Sequence, residues 1–163
     1  MHEFYGPVGY DFAAALGQMV WSAMRVESLA VQTCRALDID YRPGMQIGVS
    51  IAEATESLTS TSAVSEVDGA LWLLQAGAAL RTRDTIVHAA VTSSMAANGN
   101  TVEEYYFHNR KWDSEGELTG DDAQALTVEA LDDLRGQFDE LARRWTHVDG
   151  SLGARTNETS QRK

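Results

Sequence analysis

The stretch SEVDGALWLLQAGAALRTRDTIVHAAVTSS, Ser65 to Ser94, decides the fold. Its opening SEVD is a capping-box pattern, in which a serine and an acid satisfy the free N–H groups of a helix start ahead of an apolar run. Apolar residues then recur at helical spacing for about thirty residues, to roughly Ser94. One stripe is Val67, Leu71, Leu74, Ala78 and Thr85; a second is Leu73, Leu80 and Val87, with Val91 close by. A helix apolar on two faces is either central to a bundle or shared between its own core and a partner chain. The seven-residue spacing of Leu73, Leu80 and Val87 is the spacing that a seam between paired helices requires.

Working outward, the flanking segments keep the same character. DFAAALGQMVWSAMRVESLAVQTCRALDID (Asp11 to Asp40) places Phe12, Leu16, Val20, Ala23, Ala30 and Cys34 on one helical face, with Asp11 as N-cap and YRPG (Tyr41 to Gly44) as the stop. Glu27 falls on that face. A carboxylate there needs a cationic or hydrogen-bonding partner such as Arg81, Arg83 or a backbone donor, unless the stripe rotates and leaves it at the edge. MQIGVSIAEATESL (Met45 to Leu58) fits strand and helix alternation equally, and is taken as a short helix before the polar TESLTSTS.

After the AANGN turn, TVEEYYFHNRKWDSEGELTG (Thr101 to Gly120) is rich in β-branched and aromatic residues and reads as a hairpin with turns at HNR and DSEG. DDAQALTVEALDDLRGQFDELARRW (Asp121 to Trp145) has the cleanest helical pattern. Leu126, Leu131, Leu134, Phe138, Leu141 and Trp145 share a face, acids open it, and Arg143 and Arg144 close it in keeping with the helix dipole. GSLGARTNETSQRK, from Gly150, reads as a polar frayed tail. The expectation is one all-α domain over residues 1–150, a four-to-five-helix up-and-down bundle with a small β-hairpin before the last helix, and a flexible tail over 151–163.

Composition narrows what such a bundle does. The chain has 163 residues, 44% of them hydrophobic, and a formal net charge of −11. Nothing approaches a membrane-spanning run, and the amino terminus lacks the basic-then-apolar layout of a signal peptide. A cytoplasmic protein is therefore expected. Cys34 is the single cysteine, which excludes a disulfide framework and a thiolate metal cage. So acidic a surface repels a polyanion at long range, so any nucleic-acid contact must be local. All but two of the 13 basic residues are arginine, the better side chain for bidentate phosphate contacts.

Three polar residues interrupt the end of the central run: Arg83, Asp84 and His88. Histidine exchanges protons near neutral pH, and arginine holds phosphate oxygens and stabilises charge as it builds. These are the side chains needed to cleave RNA without metal, because RNA supplies its own nucleophile in the 2′-hydroxyl. Asp84, four residues before His88 on the same helix face, could orient the imidazole or hold its proton more tightly. Arg81 precedes the same histidine and blurs which arginine is used. A five-residue offset leaves Arg83 and His88 about 140° apart around a helix, so they converge only if the helix packs against its two-fold mate. Elsewhere the signals are weak. His2, His108 and His147 lack ligand-spaced neighbours for a metal, ANGNT is no phosphate loop, and Ser93 and Ser94 have no histidine–acid relay. Tyr105, Tyr106 and Phe107 suit hairpin packing better than base stacking.

RDTIVH resembles the arginine, polar residue, spacer and histidine motif of the HEPN superfamily. The likeness extends over about residues 10 to 147: a long first helix with an acid (Glu27), a motif late in a long helix, a hairpin after it and a closing amphipathic helix. The resemblance implies catalytic positions for Arg83 and His88, a polar position for Asp84 where asparagine is more usual, and motif helices paired in a homodimer. It also implies a metal-independent ribonuclease with no cofactor, of the toxin or defence-effector kind, acting on RNA and held by an antitoxin or other protein partner. The superfamily includes members that bind a protein or nucleotide without cutting, so a non-catalytic dimeric module is the other expectation.

Overall fold

The computed structural model describes residues 9–39, 51, 54, 56, 64–88, 90–95, 102–112 and 118–161, with side chains described at 9–39, 51, 54, 56, 67–87, 105–106 and 124–149. Among them are three helices and one antiparallel sheet: α1 (Tyr10–Ala36), α2 (Val64–His88), β1 (Ala90–Met95), β2 (Val102–Trp112), β3 (Leu118–Leu126) and α3 (Val128–Gln161). The fold is mostly helical, as expected. Ile51, Ala54 and Glu56 are also helical, in agreement with a helix in that segment, and Ile51 and Ala54 are buried. None of these helices is long and apolar enough to cross a membrane.

The chain divides into two compact units. One comprises residues 1–20 and 82–135, the other 21–81 and 136–163. The three helices each contribute to both.

The first unit contains the sheet, ordered β1-β2-β3. Here three boundaries depart from the sequence reading. The central helix stops at His88 instead of near Ser94, and Ala90–Met95 pairs with β2 from Ala90↔His108 to Met95↔Val102. Val91 and Thr92 are β-branched, and Ser93 and Ser94 are indifferent helix formers, so an available strand partner outweighs continued helix. The HNR turn is absent. Those residues sit inside β2, with Asn109 opposite Asp122 and Arg110 opposite Asp121. Asp121 to Leu126 belongs to β3, so the last helix begins at Val128. Thr127 caps it: its Oγ1 accepts from Ala130 N–H at 3.1 Å and its carbonyl from Leu131 N–H at 3.2 Å.

Within this unit Phe12 stacks on Tyr105 at a centroid separation of 4.0 Å, and the Tyr105 hydroxyl accepts a hydrogen bond from Gly9 N–H at 2.6 Å. A Cβ at Gly9 would stand 2.6 Å from that hydroxyl, so only glycine allows the approach. Phe12, Ala15, Met19, Leu126, Leu131 and Leu134 are buried. Tyr105 is thus a packing residue, as its place in the sheet suggested.

The second unit is a helical core. Val26, Ala30 and Cys34 of α1, Trp72, Leu73, Ala76 and Leu80 of α2, and Phe138, Leu141 and Ala142 of α3 are buried. Polar groups are satisfied as they are enclosed. Trp72 Nε1 donates to Leu141 O at 2.9 Å, Ser22 Oγ to Asp139 Oδ1 at 2.9 Å, and Trp145 Nε1 to Thr33 Oγ1 at 2.9 Å. A Cβ at Gly77 would overlap Ile51 Cδ1, so the glycine lets the Ile51 side chain lie against α2.

The end of α1 comes before YRPG, which lies outside the described residues. Asp38 takes a φ of 57°, Ile39 N–H bonds back to Cys34 O at 2.8 Å and Asp38 N–H to Arg35 O at 3.2 Å. This is a Schellman closure, with Ile39 buried beneath it. At the other end of the chain α3 continues past Gly150 to Gln161, through the segment read as a polar tail.

Candidate functional site

Arg83, Asp84 and His88 occupy the last two turns of α2, and the chain enters β1 two residues after His88. Arg83 is the more enclosed of the first two, its side chain 16% exposed against 47% for Asp84. Arg83 Nε is buried and lies 2.7 Å from Asp84 Oδ1, an ion-pair contact outside hydrogen-bond alignment. Adjacent residues on a helix do not face each other, so both side chains must bend to meet. Asp84 is thereby in contact with the arginine. The side chain of His88 lies outside the described residues; its backbone closes the helix.

Arg81 is exposed, and Glu27 is half-buried at the edge of the α1 core face. The buried stripe of α1 runs through Phe12, Ala15, Met19, Ala23, Val26, Ala30 and Cys34; it keeps four residues of the face expected and is turned from it by less than half a residue step, so that Val26 is buried and Glu27 lies at the edge.

The expected dimer seam needs correction. Leu73 and Leu80 are 0% exposed within the single chain and have no surface to offer a partner; Val87 is 47% exposed. The outward stripe is the other one, with Leu71 47% exposed and Ala78 and Thr85 exposed. The sequence made the two stripes equivalent because both are apolar at helical spacing. Trp72 separates them, since its large ring is buried and its Nε1 needs the carbonyl of Leu141, which turns the Leu73 side inward.

A second polar grouping escaped the sequence reading. In the helical unit a groove of about 290 Å³ is lined by Asp68, Leu71 and Gln75 of α2 and by Arg144, His147 and Val148 of α3. Arg144 Nη1 donates to Gln75 Oε1 at 2.8 Å. No motif signals it, because its residues come from helices far apart in sequence. Among the described residues no group of three or more His, Cys, Asp or Glu side chains could hold a metal ion. No family model matches the chain, and neither a curated protein nor a solved structure matches it.

Proposed function

We propose that this chain is a metal-independent endoribonuclease of HEPN type, with Arg83 and His88 as its catalytic residues. The observation that carries this reading is the position of Arg83: enclosed near the end of α2, in contact with Asp84, and five residues ahead of the histidine that closes the helix. In the proposed step the RNA 2′-hydroxyl attacks the adjacent phosphorus as the P–O5′ bond breaks. The products are a 2′,3′-cyclic phosphate and a 5′-hydroxyl. His88 moves the proton from the 2′-oxygen toward the departing 5′-oxygen, and Arg83 stabilises charge on the phosphoryl oxygens. The angular offset of the two residues calls for two chains, each helix end completing the other's site.

In this reading the bundle has four or more helices running up and down, the fourth supported by the helical backbone at Ile51, Ala54 and Glu56. The protein acts in the cytoplasm as a toxin or defence effector, restrained by an antitoxin or other protein partner. A second reading, a non-catalytic dimeric module that binds a protein or nucleotide, is favoured by the Arg83–Asp84 contact itself, since the carboxylate offsets the charge a phosphate would meet.

Incubation with mixed RNAs in EDTA tests both. Cleavage by the wild type that falls at least about 100-fold in each of Arg83→Ala and His88→Ala supports the enzyme. Absence of cleavage by a folded, dimeric wild type supports the module.

A further inference from the structure

The groove lined by α2 and α3 in the helical unit carries two opposite charges that do not meet. Asp68 of α2 and Arg144 of α3 both border it and both are exposed, and neither forms an ion pair among the described residues. By contrast, the neighbouring Arg143 donates to both carboxylate oxygens of Glu140 at 2.6 to 2.9 Å. Arg144 Nη1 donates instead to the neutral amide oxygen of Gln75 at 2.8 Å, which leaves the guanidinium charge unmatched.

The spacing of the two charges follows from α2. Asp68 and Gln75 lie within about 20° of one another around that helix and about 10 Å apart along it, with Leu71 between them. Arg144 thus stands at the Gln75 end of the groove and the Asp68 carboxylate at the other. Leu71 and Val148 supply the apolar wall, and His147 adds an imidazole on the α3 side. A lone anion such as phosphate would gain from Arg144 and lose to Asp68, and a lone cation fails for the converse reason. A molecule that carries both charges, joined by an apolar stretch, gains at each point.

We propose that this groove binds a small zwitterion, its carboxylate on Arg144, its ammonium on Asp68 and its apolar chain against Leu71 and Val148. Hydrogen bonds of about 2.8 Å at each end leave roughly 5–8 Å between the charges of the ligand. A free α-amino acid is too short, since its nitrogen and carboxyl carbon are only about 2.5 Å apart. Two residues of extended chain span about 7 Å. A dipeptide with apolar side chains fits, and so does a linear ω-amino acid of similar length. The groove volume of about 290 Å³ is at the lower end of small-molecule sites, in keeping with a ligand of this size.

Isothermal titration calorimetry of the full chain with leucyl-leucine and with ε-aminocaproate, each from about 10 μM to about 10 mM, gives the test. At least one should bind with a dissociation constant at or below about 1 mM, and which one does so tells a peptide from an ω-amino acid. Blocking either charged end of the ligand that binds, by N-acetylation or by amidation, should weaken it at least about tenfold. Asp68→Asn and Arg144→Gln should do the same, and both should keep the wild-type thermal melt, because these side chains are exposed. In Asp68→Asn, acetylation should have little further effect, a coupling that a merely structural role of Asp68 would not produce. Failure of both ligands to bind at about 10 mM, or an affinity unchanged in either variant, overturns the proposal. So does binding of hexanoate or inorganic phosphate as tight as that of the zwitterions. Arg83 and His88 take no part in this readout, so it stands or falls separately from RNA cleavage.

Discussion

Asp38 shows how a single residue can carry a local cost. Its φ of 57° is the left-handed conformation that a Cβ disfavours, yet it closes α1 so that Ile39 can cover the helix end. An L side chain there forfeits about 1 kcal/mol relative to glycine. Asp38→Gly should therefore raise stability by about that amount and the thermal midpoint by roughly 2–4 °C. An unchanged or lower midpoint in a calorimetric scan would show that the aspartate side chain compensates. The Arg83–Asp84 contact is the other decision made by one residue. Aspartate at position 84 offsets the charge of the guanidinium beside it, which asparagine would not do.

The helices differ in how firmly their patterns commit them. α3 carries its hydrophobic residues on one face, and Leu131, Leu134, Phe138 and Leu141 are all buried as that face predicts. In α2 small and large apolar residues surround the axis, and packing selects the side. Leu80 is fully enclosed by its own chain. Leu80→Ala should cost about 2–5 kcal/mol, and Leu80→Glu should abolish cooperative unfolding, because a buried carboxylate without a partner is too costly to retain. Chemical denaturation of both variants checks this. A Leu80→Glu protein that unfolds like the wild type but as a monomer would place Leu80 at a subunit contact after all.

At the scale of the whole molecule, the net charge of −11 governs the approach of any ligand. If RNA is the substrate, long-range repulsion slows its arrival, and salt screens that repulsion within a Debye length of about 10 Å at 0.1 M. The cleavage rate at low RNA concentration should thus rise as salt increases from about 10 to 150 mM. Most RNA-binding proteins show the reverse, through counterion release. A monotonic fall with salt would mean that a local cationic surface dominates the encounter.

The sequence by itself determined that the chain is mostly helical, that three long helices are centred on α1, α2 and α3, though not where α2 stops or where α3 starts and ends, and which face of α3 is buried, because those features follow from periodicity over neighbouring residues. It also marked Arg83 and His88 as chemistry-bearing, by residue type and spacing. Tertiary structure decided the rest. Ala90–Met95 became a strand because β2 offered hydrogen-bond partners that no local pattern reveals. Leu73 and Leu80 turned inward because Trp72 needed Leu141 O, a group 69 residues away. Glu27 lost the core position to Val26 by a rotation of less than half a residue step. In each case the local preferences were nearly balanced, and burial of apolar surface and pairing of backbone polar groups across the chain tipped them.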